Sequence, residues 1–127
     1  PHYVEYVDDV KAIDVPRRGA EIRWSEPFAS RGGTNVNFVQ RIAKDHIRIR
    51  TFERGVEDET LACGTGATAS ALATAYLDGI PAHRYQVDVE GGSLSVAFET
   101  NGKGGFCHVI LTGPAQKVFE GDIELDF

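Results

Sequence analysis

One cysteine of this chain stands directly before a glycine-threonine-glycine step. It closes the run Glu53-Arg54-Gly55-Val56-Glu57-Asp58-Glu59-Thr60-Leu61-Ala62-Cys63-Gly64-Thr65-Gly66-Ala67. The residues that follow, from about Ala67 to Leu77, are largely alanine, the best helix former, and Gly79 and Pro81 stop the run. Cys63 therefore sits at the mouth of a helix. Free backbone N–H groups at a helix start favour negative charge, which makes a thiolate accessible there. The glycines allow a ligand carboxylate to approach the same N–H groups. Thiol chemistry and anion binding would share one small space. The plainer reading is that cysteine is often a small buried hydrophobe, and that Gly-Thr-Gly is only a strand-to-helix turn. The residues alone leave both open.

Other groups carry weaker signals. Cys107 lies in Phe106-Cys107-His108-Val109-Ile110, with no glycine-rich helix start after it, and reads as a core or barrel-facing residue. Neither cysteine belongs to a CxxC pair and the four histidines lack ligand spacing, so no metal site is expected. Arg48 and Arg50, at alternate positions of a strand, read as a solvated strand face. Glu57-Asp58-Glu59 reads as a solvated loop.

These residues need elements to position them. His2 to Val7 is aromatic and β-branched and reads as a strand. Pro16 suits the first turn of a helix from about Arg17 to Trp24. Gly32-Gly33 marks a turn before a strand over Thr34 to Gln40. His46 to Glu53 alternates, with Ile47, Ile49 and Thr51 on one face, which predicts a half-buried strand. Arg54 to Thr60 reads as a polar loop. Tyr85 to Glu90, Leu94 to Glu99, Phe106 to Thr112 and Ala115 to Phe119 are further strands. Gly91-Gly92, Asn101-Gly102 and Gly113-Pro114 supply turns. An alanine-rich helix is thin, so strands can approach it from several sides. The fold expected is α+β: a mostly antiparallel curled sheet wrapped around one central α-helix.

The bulk numbers bound the function. The 127 residues suit one domain, and 42% apolar residues suffice for one core. A net charge of −6 argues against a nucleic-acid surface, which needs a concentrated basic face. No stretch is apolar enough to span a bilayer as a helix. Two cysteines do not make a secreted disulfide framework, so a reducing cytoplasm is expected. The chain has no methionine and opens Pro1-His2-Tyr3, which reads as a piece of a longer polypeptide.

The run from Glu53 to Ala67 closely resembles the second-half signature of diaminopimelate epimerases. Pro1-His2, Thr34-Asn35-Val36-Asn37-Phe38, and Gly113-Pro114-Ala115 followed by Val118-Phe119-Glu120-Gly121 resemble further family segments in the right order. The resemblance implies residues 1–127 as the C-terminal domain of a two-domain enzyme, with the active site in the cleft between similar domains. It implies interconversion of LL- and meso-2,6-diaminopimelate, for lysine and cell-wall precursors, by two cysteines on opposite faces of the α-carbon. It implies neither pyridoxal phosphate nor metal. Cys63 matches the second catalytic thiol. Gly64 and Thr65 match the cradle for the reacting carboxylate. Glu53 and Arg54 match a substrate-contacting pair, with the arginine on the distal carboxylate. Asn35 matches a contact to the distal amino-acid end, and His2 a histidine beside the catalytic centre, which the resemblance implies assists catalytic proton handling together with Glu53.

The family's first-half cysteine motif is absent, so the chain is expected to carry half a site and to be inactive alone. Its partners would be the amino-acid substrate and the missing N-terminal domain, with a homodimer of the full-length form compatible. Rival readings are a proline racemase-like or phenazine-biosynthesis-like isomerase, and a non-catalytic binding module of the same fold. A cysteine hydrolase, with His2, His46, His83 or His108 as base, has no supporting motif.

Overall fold

The computed structural model describes residues 1–115, 118 and 120–126. Among the described residues, seven strands form one sheet: β1 (His2–Tyr6), β2 (Asn35–Ala43), β3 (His46–Glu53), β4 (Asp58–Thr60), β5 (Arg84–Val89), β6 (Gly92–Thr100) and β7 (Phe106–Thr112). Two helices accompany them, α1 (Val15–Arg23) and α2 (Gly64–Leu77), with single 3-10 turns at Val10–Ala12 and Ala29–Arg31. The order across the sheet is β1-β2-β3-β5-β6-β7, and β4 pairs with β3 beside β5. The outer edge of β3 is thus shared: His46, Ile47 and Arg48 meet β5, while Thr51, Phe52 and Glu53 meet β4.

The sheet is mixed. Antiparallel ladders join sequence neighbours β2–β3, β5–β6 and β6–β7. Parallel ladders join β1–β2 and β3–β5. Parallel neighbours need a crossover, usually helical. Here α1 lies in the first crossover and α2 in the second.

The expected central helix is α2, which touches β1, β2, β3, β5, β6 and β7. Its small residues permit this. Gly66, Ala67, Ser70, Ala71, Thr74 and Ala75 are buried at three- and four-residue spacing, one face of a helix. Val39, Ile47, Ile49, Tyr85, Val87, Val96 and Phe98 close over them. The helix ends as the sequence suggests: Gly79 takes φ 76° and the Ile80 N–H donates to the Ala75 carbonyl.

The helix expected at Arg17–Trp24 forms as α1, starting two residues earlier. The Asp14 side chain caps it by accepting from the Arg17 N–H, and Pro16 fits the first turn. It covers the opposite face of the sheet, where Val10, Val15, Ile22, Val36, Phe38 and Phe52 make a second core. A side chain at Gly19 would collide with Phe52, so only glycine allows this close approach.

That second layer corrects two sequence readings. Arg50 is not on a solvated face. Its guanidinium donates to the carbonyls of Val10 and Ile13 (3.0 and 2.9 Å) and to both Glu59 oxygens (2.6 and 2.8 Å). Arg48 is half-buried beside Asp88. The acidic run is also not a plain solvated loop. Asp58–Thr60 is strand β4, Glu59 holds Arg50, and Glu57 holds Arg23. The expected strand at Ala115–Phe119 falls partly on residues 116, 117 and 119, outside the described residues.

Candidate active site

Cys63 is the N-cap of α2, with extended backbone (φ −132°, ψ 106°) and its carbonyl accepting from the Ala67 N–H at 2.8 Å. Its side chain makes no capping hydrogen bond. Gly64, Thr65 and Gly66 follow at the first helical positions, whose N–H groups have no acceptor within the helix. Those dipoles make the helix mouth electropositive. The thiol is 6% exposed, and its Sγ lies 3.6 Å from the Thr65 hydroxyl. Gly66 is required here. A side chain on it would drive into the Asn37 amide oxygen and crowd the Cys63 sulfur.

The helix mouth opens into a cleft of about 640 Å³, lined by Glu53, Cys63, Gly64, Thr65, Leu72 and Leu111 among others. Most of the wall is apolar: Ala62, Ala69, Leu72 and Leu111. Thr65, Ala69, Leu72 and Tyr76 share the face of α2 that the sheet leaves uncovered. Leu61, next to Ala62 in sequence, and Tyr76, one turn beyond Leu72, are 72% and 65% exposed.

Four expected site residues, Glu53, Cys63, Gly64 and Thr65, thus line one cleft. The other three do not line it but cluster near Glu53, at the adjoining ends of β1, β2 and β3. His2 pairs with Asn35 across the β1–β2 ladder. The Asn35 amide oxygen accepts from the Arg54 backbone N–H at 2.7 Å. The Arg54 guanidinium is exposed, and Nη1 donates weakly to the Gly33 carbonyl (3.4 Å). No further hydrogen bond of the guanidinium is made among the described residues. Burial lowers the His2 pKa, with Arg54 adding to the effect and Glu53 opposing it. The imidazole therefore favours its neutral form.

Three residues that matter here were missed from sequence. Asn37 is fully buried under the site. Its amide nitrogen faces the Tyr3 carbonyl (3.0 Å) and His2 Nδ1 (3.3 Å), and its oxygen accepts from the Thr51 hydroxyl (2.9 Å). The signal was present: an amide at an inward position of an otherwise apolar strand needs partners. Arg23 and Glu57 left no such signal. Arg23 is 5% exposed and meets Glu57 through three contacts of 2.6 to 3.0 Å. It also donates to the Gly32 carbonyl at 2.9 Å. Glu57 sits at φ 60° and accepts from the Gly55 N–H. The Arg23 hydrogen bond, then the Gly55 N–H, hold the Glu57 carboxyl below the usual carboxylate range. The pair pins the turn that follows Glu53 and Arg54.

The chain is a curled mixed sheet wrapped on a small-residue helix, with a thiol at the helix mouth. The solved structures bear this out at the level of fold. A predicted epimerase from Pseudomonas aeruginosa superposes with a TM-score of 0.56 at 20% identity, over 81% of this chain and 34% of that one. A phenazine biosynthesis PhzC/PhzF protein from Clostridium difficile gives 0.56 at 18% identity, over 76% and 33%. The chain belongs to the diaminopimelate epimerase family, whose model matches residues 1–118. The diaminopimelate epimerase of Aquifex aeolicus is 48% identical over 124 residues, 95% of this chain and 42% of that protein. That of Flavobacterium psychrophilum is 42% identical over 123 residues, 97% and 47%. The chain spans less than half the length of these curated relatives.

Proposed function

We propose that the chain is the C-terminal domain of a two-domain enzyme that interconverts LL- and meso-2,6-diaminopimelate, with Cys63 as one of two acid/base thiols. The observation that carries this is the join of Cys63 to three unpaired helix-start N–H groups at the rim of a one-sided apolar cleft. The α-hydrogen of an amino acid is a very weak acid. Its removal needs a positioned base and stabilisation of the charge that develops. In one direction the Cys63 thiolate takes the α-proton. The electron pair passes toward the substrate carboxylate, which the N–H groups of Gly64 and Thr65 hold. A second thiol, on the opposite face, returns a proton to the carbon. In the other direction the two exchange roles.

Glu53 faces the same cleft and, with the neutral His2 nearby, assists proton handling. Arg54 holds the distal carboxylate through its solvent-facing fork, and Asn35 fixes the arginine's backbone and contacts the distal amino-acid end. The missing domain brings the opposing thiol and covers the apolar wall of Leu72 and Leu111, which excludes water from the reacting centre. Working thiols must stay reduced, which suits the cytoplasm.

The test is α-proton exchange of diaminopimelate in heavy water, followed by NMR. Exchange is expected only when the separately prepared N-terminal half is added, and not with Cys63→Ser. Interconversion of the LL- and meso-forms by this chain alone, abolished by Cys63→Ser, would overturn the need for two thiols. No exchange with both halves folded and associated would overturn the substrate assignment.

A further inference from the structure

A second group of chemically capable side chains lies away from the cleft, on the β6–β7 ribbon. The register there slips. Ala97 pairs with Ile110 and Glu99 with Cys107, so Phe98 alone opposes both His108 and Val109. This is a β-bulge with one extra residue on β7. His108 occupies its left-handed position, φ 50°, where glycine is usual.

The bulge changes which way side chains point. Phe106 packs on the core and stacks edge-on against Phe98. Cys107 lies on the other side of the strand, half-buried and outside both core clusters, so of its expected places, core or barrel-facing, the core is not the one it takes. In a regular strand His108 would then turn inward. Instead its side chain is 76% exposed, and Nδ1 reaches the Glu99 carboxylate at 2.7 Å. Consecutive residues thus face the same side. The Cys107 sulfur, a His108 ring nitrogen and a Glu99 oxygen all lie within 4.8 Å of one another.

We propose that Glu99, Cys107 and His108 form a surface site for a zinc-class divalent cation. The donor set decides the class. Thiolate and imidazole suit Zn²⁺, whereas Mg²⁺ and Ca²⁺ take oxygen ligands. Tetrahedral Zn²⁺ with bonds of about 2.1 to 2.3 Å sets its ligands roughly 3.6 Å apart. The outward side chains of Glu99 and His108 can close that difference by rotation about their own bonds. On binding, the Cys107 thiol releases its proton to solvent and the imidazole offers a neutral nitrogen. Three protein ligands leave the fourth position to water or to a group from another molecule. Neither cysteine spacing nor histidine spacing announces such a site, because one ligand comes from β6 and the bulge supplies the other two.

The experiment titrates Co²⁺ and Zn²⁺ into the 127-residue chain carrying Cys63→Ser, so that Cys107 is the sole thiol. Co²⁺ should produce a thiolate-to-cobalt band in the near ultraviolet at one equivalent, displaced by Zn²⁺. Zn²⁺ should also raise the thermal midpoint. Cys107→Ser should abolish the band and weaken Zn²⁺ by roughly 100-fold or more, beyond what outer-shell partners are worth. His108→Gly keeps the bulge, since glycine adopts its backbone freely, and should fold normally while losing binding. Glu99→Gln should weaken it. A chain without the cobalt band, or one whose Zn²⁺ affinity survives Cys107→Ser or His108→Gly, would overturn the site.

Discussion

Replacing Asn37 by alanine tests the reasoning about the buried layer beneath Cys63 and His2. The side chain makes contacts to the Tyr3 carbonyl, His2 Nδ1 and the Thr51 hydroxyl. His2 is half-exposed, so water can replace that contact. Thr51 is 3% exposed, and its hydroxyl would be left without a partner. The Tyr3 carbonyl would lose one of its donors in the same space. Each orphaned buried group costs about 1 to 3 kcal/mol, and the small void left behind adds to it. A loss of about 3 kcal/mol follows. At about 3 to 5 °C per kcal/mol for a chain of this size, the thermal midpoint should fall by roughly 10 °C. Urea and thermal denaturation, followed by circular dichroism, read this directly. The diagnostic comes from Thr51→Val. In the Asn37→Ala background it removes the orphaned hydroxyl, so the double variant should be less destabilised than the sum of the singles by about 1 kcal/mol. Strict additivity, or an Asn37→Ala loss below about 0.5 kcal/mol, would refute the network account.

Acid stability should depend on Asp88. Burial works to raise its carboxyl, but hydrogen bonds from Gln86, Ser93 and His46 outweigh that and hold it down to about 2. A folded pKa below the unfolded value gives stability that is fully present above the unfolded value of 3.8 and lost as pH falls through about 2. Asp88→Asn should therefore flatten the acid limb of a urea-midpoint profile between about pH 4 and 2, and an unchanged limb would count against the assignment. Glu57→Ala should free the turn after Arg54. Amide exchange at Gly55, whose N–H donates to Glu57, should quicken by about tenfold. Unchanged protection by NMR would mean that Arg23 and Glu57 do not hold the turn.

The parts of the fold legible in the sequence are those with local causes. The alanine run and its stop at Gly79 marked α2, and alternation marked β3. Cys63 was placed at the helix mouth because glycine and alanine spacing is a local signal. The bulge in β7 was not legible, since it depends on how β6 and β7 pair and not on either strand alone. Nor was the burial of Arg50, which needed α1 and the turn before it to cover a face that alternation had marked as polar. Arg23 and Glu57 lie 34 residues apart and meet only when β4 has paired with β3. Among the site residues, Glu53 and Cys63 converge because β3 and α2 are neighbours in the crossover. His2 and Asn35 are adjacent because β1 and β2 run parallel, a pairing that periodicity alone does not reveal.

The short β3–β5 ladder has a kinetic meaning. Only three residue pairs join these strands, and His46 bonds to Asp88 across the junction at 2.7 Å. Everything from β5 to β7 closes through tight turns between sequence neighbours, as does the β2–β3 hairpin. The junction, in contrast, must close a loop of roughly 40 residues, and closure entropy rises with that length. The hairpins are therefore the early, local products of folding, and the junction is the step that sets its pace. Pulsed hydrogen exchange at Gln86, whose N–H donates to the Asp45 carbonyl at 2.9 Å, reports that step. Because α2 spans the same gap, the helix that carries Cys63 is fixed in place only when the two halves of the sheet meet.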